Sequence, residues 1–239
     1  MSARVTEVPA EIGMGPVTLR GDLAVPERCE GLVIFAHGSG SSRTSPRNRA
    51  VAEVFRGAHL GTLLFDLLTE EEEARDALTR ELRFDIALLA RRLVGATQWA
   101  RTHELVRGLP IGYFGASTGG GAALVAAAEL PDHIAAVVSR GGRPDLAGES
   151  LARVRAPTLL LVGGLDEPVI HVNRYAYERL ACAKQLTIIP GASHLFEEPG
   201  TLDHVARLAT DWFVQHFTDL PRARRSSAFV TYQAPSGAP

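Results

Sequence analysis

Only two cysteines occur in the 239 residues, Cys29 and Cys182, and neither belongs to a CxxC pair. That excludes a disulfide framework and a four-cysteine zinc site, and it fits reduced, buried thiols in a cytoplasmic protein. Long hydrophobic runs are also missing. No apolar stretch approaches the ~18 residues that a membrane span needs. The segment up to Pro9 carries a single arginine and no apolar core of a secretory signal. Charge of one sign is absent as well: 25 Lys and Arg against 27 Asp and Glu leave −2, with no global basic field to hold nucleic acid or an anionic membrane. Among the histidines no pair has HExxH spacing, and no GxxxxGK[ST] string is present, so neither a metal centre nor a P-loop is expected.

What is present is 46% hydrophobic residues in short runs that alternate with longer amphipathic stretches. Residues 17–25, 32–36, 60–65, 111–114, 134–138, 158–162 and 186–189 read as strands. Several are continuous apolar runs, as in strands buried on both faces. Helices are expected over 45–55, 118–129, 172–181 and 201–217. Leu78, Leu82, Ile86, Leu89 and Leu93 recur at steps of three and four, which predicts one long amphipathic helix continuing to about Arg101. Strand, loop and helix in repetition specify an α/β fold, a mostly parallel central sheet with helices on both faces. Residues 1–220 are expected to form a single domain. The tail over 221–239, with Arg222, Arg224 and Arg225 followed by Ser, Gly and Pro, is expected to be mobile.

The sharpest motif is Gly115-Ala116-Ser117-Thr118-Gly119, placed between a predicted strand and a predicted helix. A sharp strand-to-helix turn strains the central residue and crowds its neighbours, so glycines flank it. Such a turn lifts the Ser117 hydroxyl above the sheet and aims the helix N-terminus at the place where an oxyanion would form. The string alone equally suits a tight turn before a core helix. Two further strand ends add weight: Asp166 follows the strand over 158–162, and His194 follows the strand over 186–189. Nucleophile, acid and base then occur in the order Ser117, Asp166, His194, on loops at the sheet edge where open α/β folds place their sites. Asp145 and Glu167 compete for the acid role, and His171 is the rival base.

On these motifs, together with His37-Gly38-Ser39-Gly40-Ser41-Ser42-Arg43 and Ser139-Arg140-Gly141-Gly142-Arg143-Pro144-Asp145, the sequence resembles the dienelactone-hydrolase-like branch of the α/β-hydrolases over roughly residues 17–217. The name-giving enzymes use a cysteine nucleophile, whereas this chain has Ser117. The resemblance therefore implies ordinary ester, lactone or thioester hydrolysis rather than action on dienelactone itself. Relatives of this type also occur fused to a phosphoribosyltransferase domain, which is not expected within these 239 residues.

The roles follow from chemistry. Ser117 is too weakly acidic to attack unaided, so His194 must take its proton, with Asp166 holding the imidazole in the right tautomer. The oxyanion donors are expected to be the backbone N–H groups of Thr118 and of Ser39, with Gly40 as the alternative to Ser39. Arg43 and Arg140, on loops at the same edge, are candidates for gripping an anionic part of the substrate; loop bracing is the simpler role. His37 is expected to brace the loop it opens, and the acidic run Glu70 to Glu73 to be a solvated helix start. The expected partner is a small-molecule ester, with no cofactor, nucleic acid or membrane, and a homodimer is compatible with the sequence. Only about eighteen residues follow the strand over 134–138, too few for a cap domain, so an open cleft is expected. Acyl transfer by the same residues, a non-catalytic scaffold, and a dinucleotide site on Gly112, Gly115, Gly119 and Gly120 are the competing readings.

Overall fold

The computed structural model describes residues 4–218. The expected tail over 221–239 lies outside the described residues. Eight strands form one sheet: β1 (Val5–Met14), β2 (Val17–Pro26), β3 (Gly31–Ala36), β4 (Leu60–Phe65), β5 (Ile111–Ala116), β6 (Ile134–Arg140), β7 (Thr158–Gly163) and β8 (Lys184–Ile189). Their spatial order is β1-β2-β4-β3-β5-β6-β7-β8. The first two pairings, β1 with β2 and β2 with β4, are antiparallel, and the rest are parallel. Among the described residues there are six α-helices: α1 (Pro46–Gly57), α2 (Glu70–Thr79), α3 (Ile86–Thr102), α4 (Thr118–Glu129), α5 (Glu167–Arg179) and α6 (Thr201–Thr218). Short 3₁₀ segments run over Leu82–Phe84 and Pro144–Arg153.

Strands β3, β4, β5 and β7 are buried along their whole length, which is why they read as unbroken apolar runs. Alternate residues serve two cores. Leu32, Ile34, Leu63, Tyr113, Val137 and Leu160 pack with α3 and α4. Val33, Phe35, Leu64, Phe114, Val138 and Leu161 pack with α1 and α6. In the second core, Phe55 of α1 meets Phe35, Phe114 and Phe213 at ring-centroid distances of 5.6–5.7 Å, in tilted and edge-on geometry.

Two elements differ from the sequence reading. Strand β1 was not anticipated, because Val5–Met14 has no apolar run and contains Pro9. It is an edge strand, where a missing N–H is tolerated, and its whole length pairs with β2 across a turn at Gly15 (φ 63°). The single long helix expected through Leu78–Leu93 is broken in two. Arg80 adopts the left-handed conformation (φ 59°, ψ 18°) at the end of α2, and Leu78 is 87% exposed. The cause is side-chain capping. Asp76 accepts from the N–H groups of Leu82 (2.7 Å) and Arg83 (3.1 Å), and Asp85 accepts from Leu88 N–H (2.9 Å) as the N-cap of α3. These carboxylates satisfy N–H groups that a continuous helix would have bonded to its own carbonyls.

Candidate active site

At the C-terminal edge of the sheet, β5 turns into α4 through Ser117, whose backbone sits at φ 50°, ψ −122°. A non-glycine residue there carries strain of about 1–3 kcal/mol, which neighbouring bonds must hold. Ser117 N–H donates to Arg140 O (3.3 Å), and Ser117 O accepts from Gly120 N–H (3.0 Å) and Arg143 N–H (2.9 Å). Close packing adds to this grip. A Cβ on Gly119 would lie 2.2 Å from Ala36 O and 2.6 Å from His37 O; one on Gly115 would lie 2.5 Å from Gly119 O. Helix α4 thus abuts the end of β3 backbone to backbone.

The loop after β3 lies against the same serine: a Cβ on Gly38 would be 3.1 Å from Ser117 Cβ. Gly38 O accepts from Ser41 N–H (3.2 Å), closing a turn with Gly40 at φ 69° and leaving the N–H groups of Ser39 and Gly40 outside that bond. His37 braces the loop, as its position suggested. Its Nε2 accepts from Leu67 N–H (3.1 Å), so Nδ1 carries the proton and donates to Gly38 O (3.0 Å). Burial holds its pKa below the usual histidine range, against the opposing pull of the Gly38 bond and Asp66.

The loops after β7 and β8 are fastened to each other. Gly164 N–H donates to Ile189 O (2.8 Å) and Leu165 N–H to Ala192 O (2.9 Å). Asp166 occupies the N-cap position of α5 without capping it through its side chain, so the carboxylate is free for another partner. That partner is His194, whose Nδ1 lies 2.6 Å from Asp166 Oδ2. With Nδ1 donating, the lone pair of the neutral ring is on Nε2. His194 and Ser117 both lie against the end of β6 and the segment after it: Arg140 and Arg143 bond the serine backbone, and a Cβ on Gly141 would be 3.7 Å from His194 Cε1. The rival groups lie elsewhere. Asp145 is held by Arg143 through two bonds of 2.8 and 2.6 Å, and His171 is exposed on α5.

The two arginines proposed as substrate grips are placed otherwise. Arg43 pairs with Asp66 through both its backbone N–H (2.8 Å) and its guanidinium, and so ties the loop after β3 to the end of β4. Arg140 is buried; its Nη2 donates to Asn48 Oδ1 (3.3 Å) and its guanidinium sits 5.9 Å over the Phe196 ring. Burial and the nearby charge of Arg47 bring its pKa down to about 10, and its Nε and Nη1 have no hydrogen-bond partner. A cavity of about 260 Å³ opens beside the serine. It is lined by residues from the loop after β3, the end of β4, α2, the 3₁₀ turn, α3 and Thr118. Its charged members, Glu73, Asp76 and Arg83, were missed by sequence reasoning. Only the folding back of α2 over the edge brings them there, and no local motif signals it. The Glu70 to Glu73 run is more than a solvated start: Glu72 completes a capping box with Thr69 and pairs with Arg92 at 2.6 Å. Among the described residues no cluster of His, Cys, Asp and Glu suits a metal ion, and no helix is long and apolar enough to cross a membrane.

A mostly parallel eight-stranded sheet, with a strained serine between strand and helix and an Asp–His pair on the neighbouring loops, defines the α/β-hydrolase class. No family model matches the chain. A solved dienelactone hydrolase from Anabaena variabilis ATCC 29413 is 60% identical and superposes with a TM-score of 0.87, covering 89% of this chain and 98% of that one. The chain belongs to the dienelactone-hydrolase-like branch of the α/β-hydrolases. Est1E from Butyrivibrio proteoclasticus, at 17% identity and a TM-score of 0.73, shares the fold over 88% of this chain and 99% of its own. Two Mycobacterium tuberculosis proteins, from strains CDC 1551 and H37Rv, are each 59% identical over 206 residues, or 86% of this chain, and both are provisionally named phosphoribosyl transferases. The chain spans 46% of the length of these curated relatives.

Two measurements probe this framework. Gly119→Ala forces a methyl group into two backbone carbonyls and is expected to destabilise the protein by about 1–3 kcal/mol, read as a lowered urea midpoint. His37 is held neutral when folded, so its contribution to stability is present above its ordinary pKa of 6.5 and is lost as pH falls through the lower folded value. Urea unfolding at several pH values should show stability falling on acidification from 6.5 toward the lower folded value, with a shallower fall in His37→Gln.

Proposed function

We propose that the protein is a serine hydrolase that cleaves a carboxylic ester, lactone or thioester through an acyl-enzyme on Ser117. The observation that carries this reading is the 2.6 Å contact between His194 Nδ1 and Asp166 Oδ2. It leaves Nε2 as the basic nitrogen of a ring lodged beside the same segment that grips Ser117.

In the first half-reaction, Ser117 Oγ attacks the carbonyl carbon while His194 Nε2 accepts the hydroxyl proton. Asp166 stabilises the resulting imidazolium without itself becoming protonated. The carbonyl oxygen gains the electron pair and is met by the N–H groups of Thr118, at the N-terminus of α4, and Ser39. Each such donor is worth about 3–4 kcal/mol in the transition state. Collapse of the tetrahedral intermediate breaks the bond to the leaving group, which takes the proton from His194. Water, deprotonated by the same imidazole, then attacks the acyl carbon, and Ser117 leaves with its proton restored. No step needs a cofactor.

The transferase name of the mycobacterial relatives applies to proteins more than half of whose length lies outside the shared region. The shared region contains Ser117, Asp166 and His194, and we assign it the hydrolase chemistry. Transfer of the acyl group to an alcohol or amine would use the same intermediate.

Ser117→Ala is expected to reduce hydrolysis of a p-nitrophenyl acetate or butyrate substrate by about three orders of magnitude or more. A fluorophosphonate probe should modify wild-type protein at Ser117, as read by peptide mass, and leave the variant unlabelled. Full activity in Ser117→Ala would refute the mechanism.

A further inference from the structure

The cavity beside Ser117 has a side and a charge, and together they define a substrate class. This inference rests on the hydrolase reading above. With the carbonyl oxygen on the N–H groups of Ser39 and Thr118, two substituents remain on the reacting carbon. The leaving group must face His194, which gives it a proton. The acyl chain therefore points away from His194, toward the cavity whose wall includes Ser39, Gly40, Leu67, Leu68, Leu89 and Thr118. At about 260 Å³ the cavity is below the range of pockets that take drug-sized ligands, so it suits a short acyl group.

Its polar end is built from three charged side chains with different degrees of freedom. Asp76 is 2% exposed and fully engaged: it accepts from the N–H groups of Leu82 and Arg83 and from Arg83 Nε at 2.5 Å. Arg83 is held by that bond and by a second one from Nη2 to Asp76 O (3.0 Å). This leaves Nη1 directed at the turn after β3, 3.6 Å from where a Cβ on Gly40 would stand. Glu73 is different. Among the described residues, no hydrogen bond or ion pair holds its carboxylate, although it lines the same cavity. Its side chain is exposed at the cavity rim, and the desolvation it does undergo, with the negative charges of Asp66 and Asp76 against the opposing pull of Arg83, raises its pKa. Two carboxylates and one guanidinium therefore line the cavity, the guanidinium is bonded to Asp76, and Glu73 at the rim is an open acceptor.

We infer that this cavity is the acyl pocket and that Glu73 selects short acyl groups carrying a hydrogen-bond donor, a hydroxyl or an ammonium, while discriminating against acyl groups that end in a carboxylate. A donor on the third or fourth carbon gives Glu73 the partner it lacks. A second carboxylate in its place would face Glu73 and Asp76 with only Arg83 to offset them.

The test is a matched series of ethyl esters of butanoic, 3-hydroxybutanoic and 3-aminobutanoic acids, with monoethyl succinate as the anionic member, followed by pH-stat. For the wild-type chain, kcat/KM for the hydroxy and amino esters is expected to exceed that for butanoate by roughly tenfold, with the succinate ester about tenfold below it. In Glu73→Gln, the ratio of amino ester to butanoate should collapse toward one and the succinate ratio should rise. Glu71→Gln, on the same helix but outside the cavity lining, should keep the wild-type ratios. Because each ratio is taken within one variant, a general loss of activity does not mimic the effect. Ester hydrolysis with identical ratios in wild type and Glu73→Gln, or a preference for the succinate ester, overturns the pocket assignment and leaves the hydrolase reading standing. Failure of the wild type to hydrolyse any ester or to take the fluorophosphonate label overturns both.

Discussion

The contact on which the rest of this structure depends is backbone against backbone, where the first turn of α4 meets the end of β3. Gly119 has carbonyls of Ala36 and His37 where a side chain would be, so the helix can approach the strand only without one. That approach keeps Ser117 at a positive φ, pushes Gly38 flush against the serine, and turns the first N–H groups of α4 toward the space above it. Ser117 and the loop after β3 are therefore parts of one packed unit. The strain in Ser117 is sustained by hydrogen bonds to its neighbours at both its N–H and its carbonyl.

Around that unit the edge of the sheet is tied together by short polar links. His37 joins the loop after β3 to Leu67, Arg43 joins the same loop to Asp66, and backbone bonds join the loops after β7 and β8. The Asp166–His194 pair rides on the last of these. Each link spans elements adjacent in the sheet and far apart in the chain, so the rim is only as rigid as the β-sheet order beneath it. Arg140 is the exception to this economy. It is a buried guanidinium at the end of β6 with a single side-chain acceptor, Asn48 of α1, and an aromatic neighbour, Phe196.

The cavity draws on a different part of the chain. Helix α2 and the 3₁₀ turn after it come over the edge because Asp76 and Asp85 interrupt what would otherwise continue as one helix. The break swings Arg83 and Glu73 toward the loop after β3. A capping event in the local backbone thereby decides which charges line the cavity beside Ser117.

Much of this was legible in the sequence for reasons that are local. Strands buried on both faces must be continuous apolar runs, and a strained turn between strand and helix must be flanked by glycines. The central strands, the elbow at Ser117, and the strand-end position of Asp166 follow from those two requirements, while β2 and β8 are read from shorter or interrupted apolar stretches. Strand β1 escaped because an edge strand needs neither an apolar run nor every N–H, and Pro9 disguised it. The helix break escaped because side-chain carboxylates cause it, and the apolar spacing continues through it unchanged. What the sequence by itself determined was the layered fold and the order of the candidate catalytic residues. Only the tertiary structure decided that Asp166 meets His194, that Arg43 braces a loop, that Arg140 is buried and that Glu73 is left unpartnered at the cavity rim, because a charged side chain's role depends on partners that distant segments bring to it.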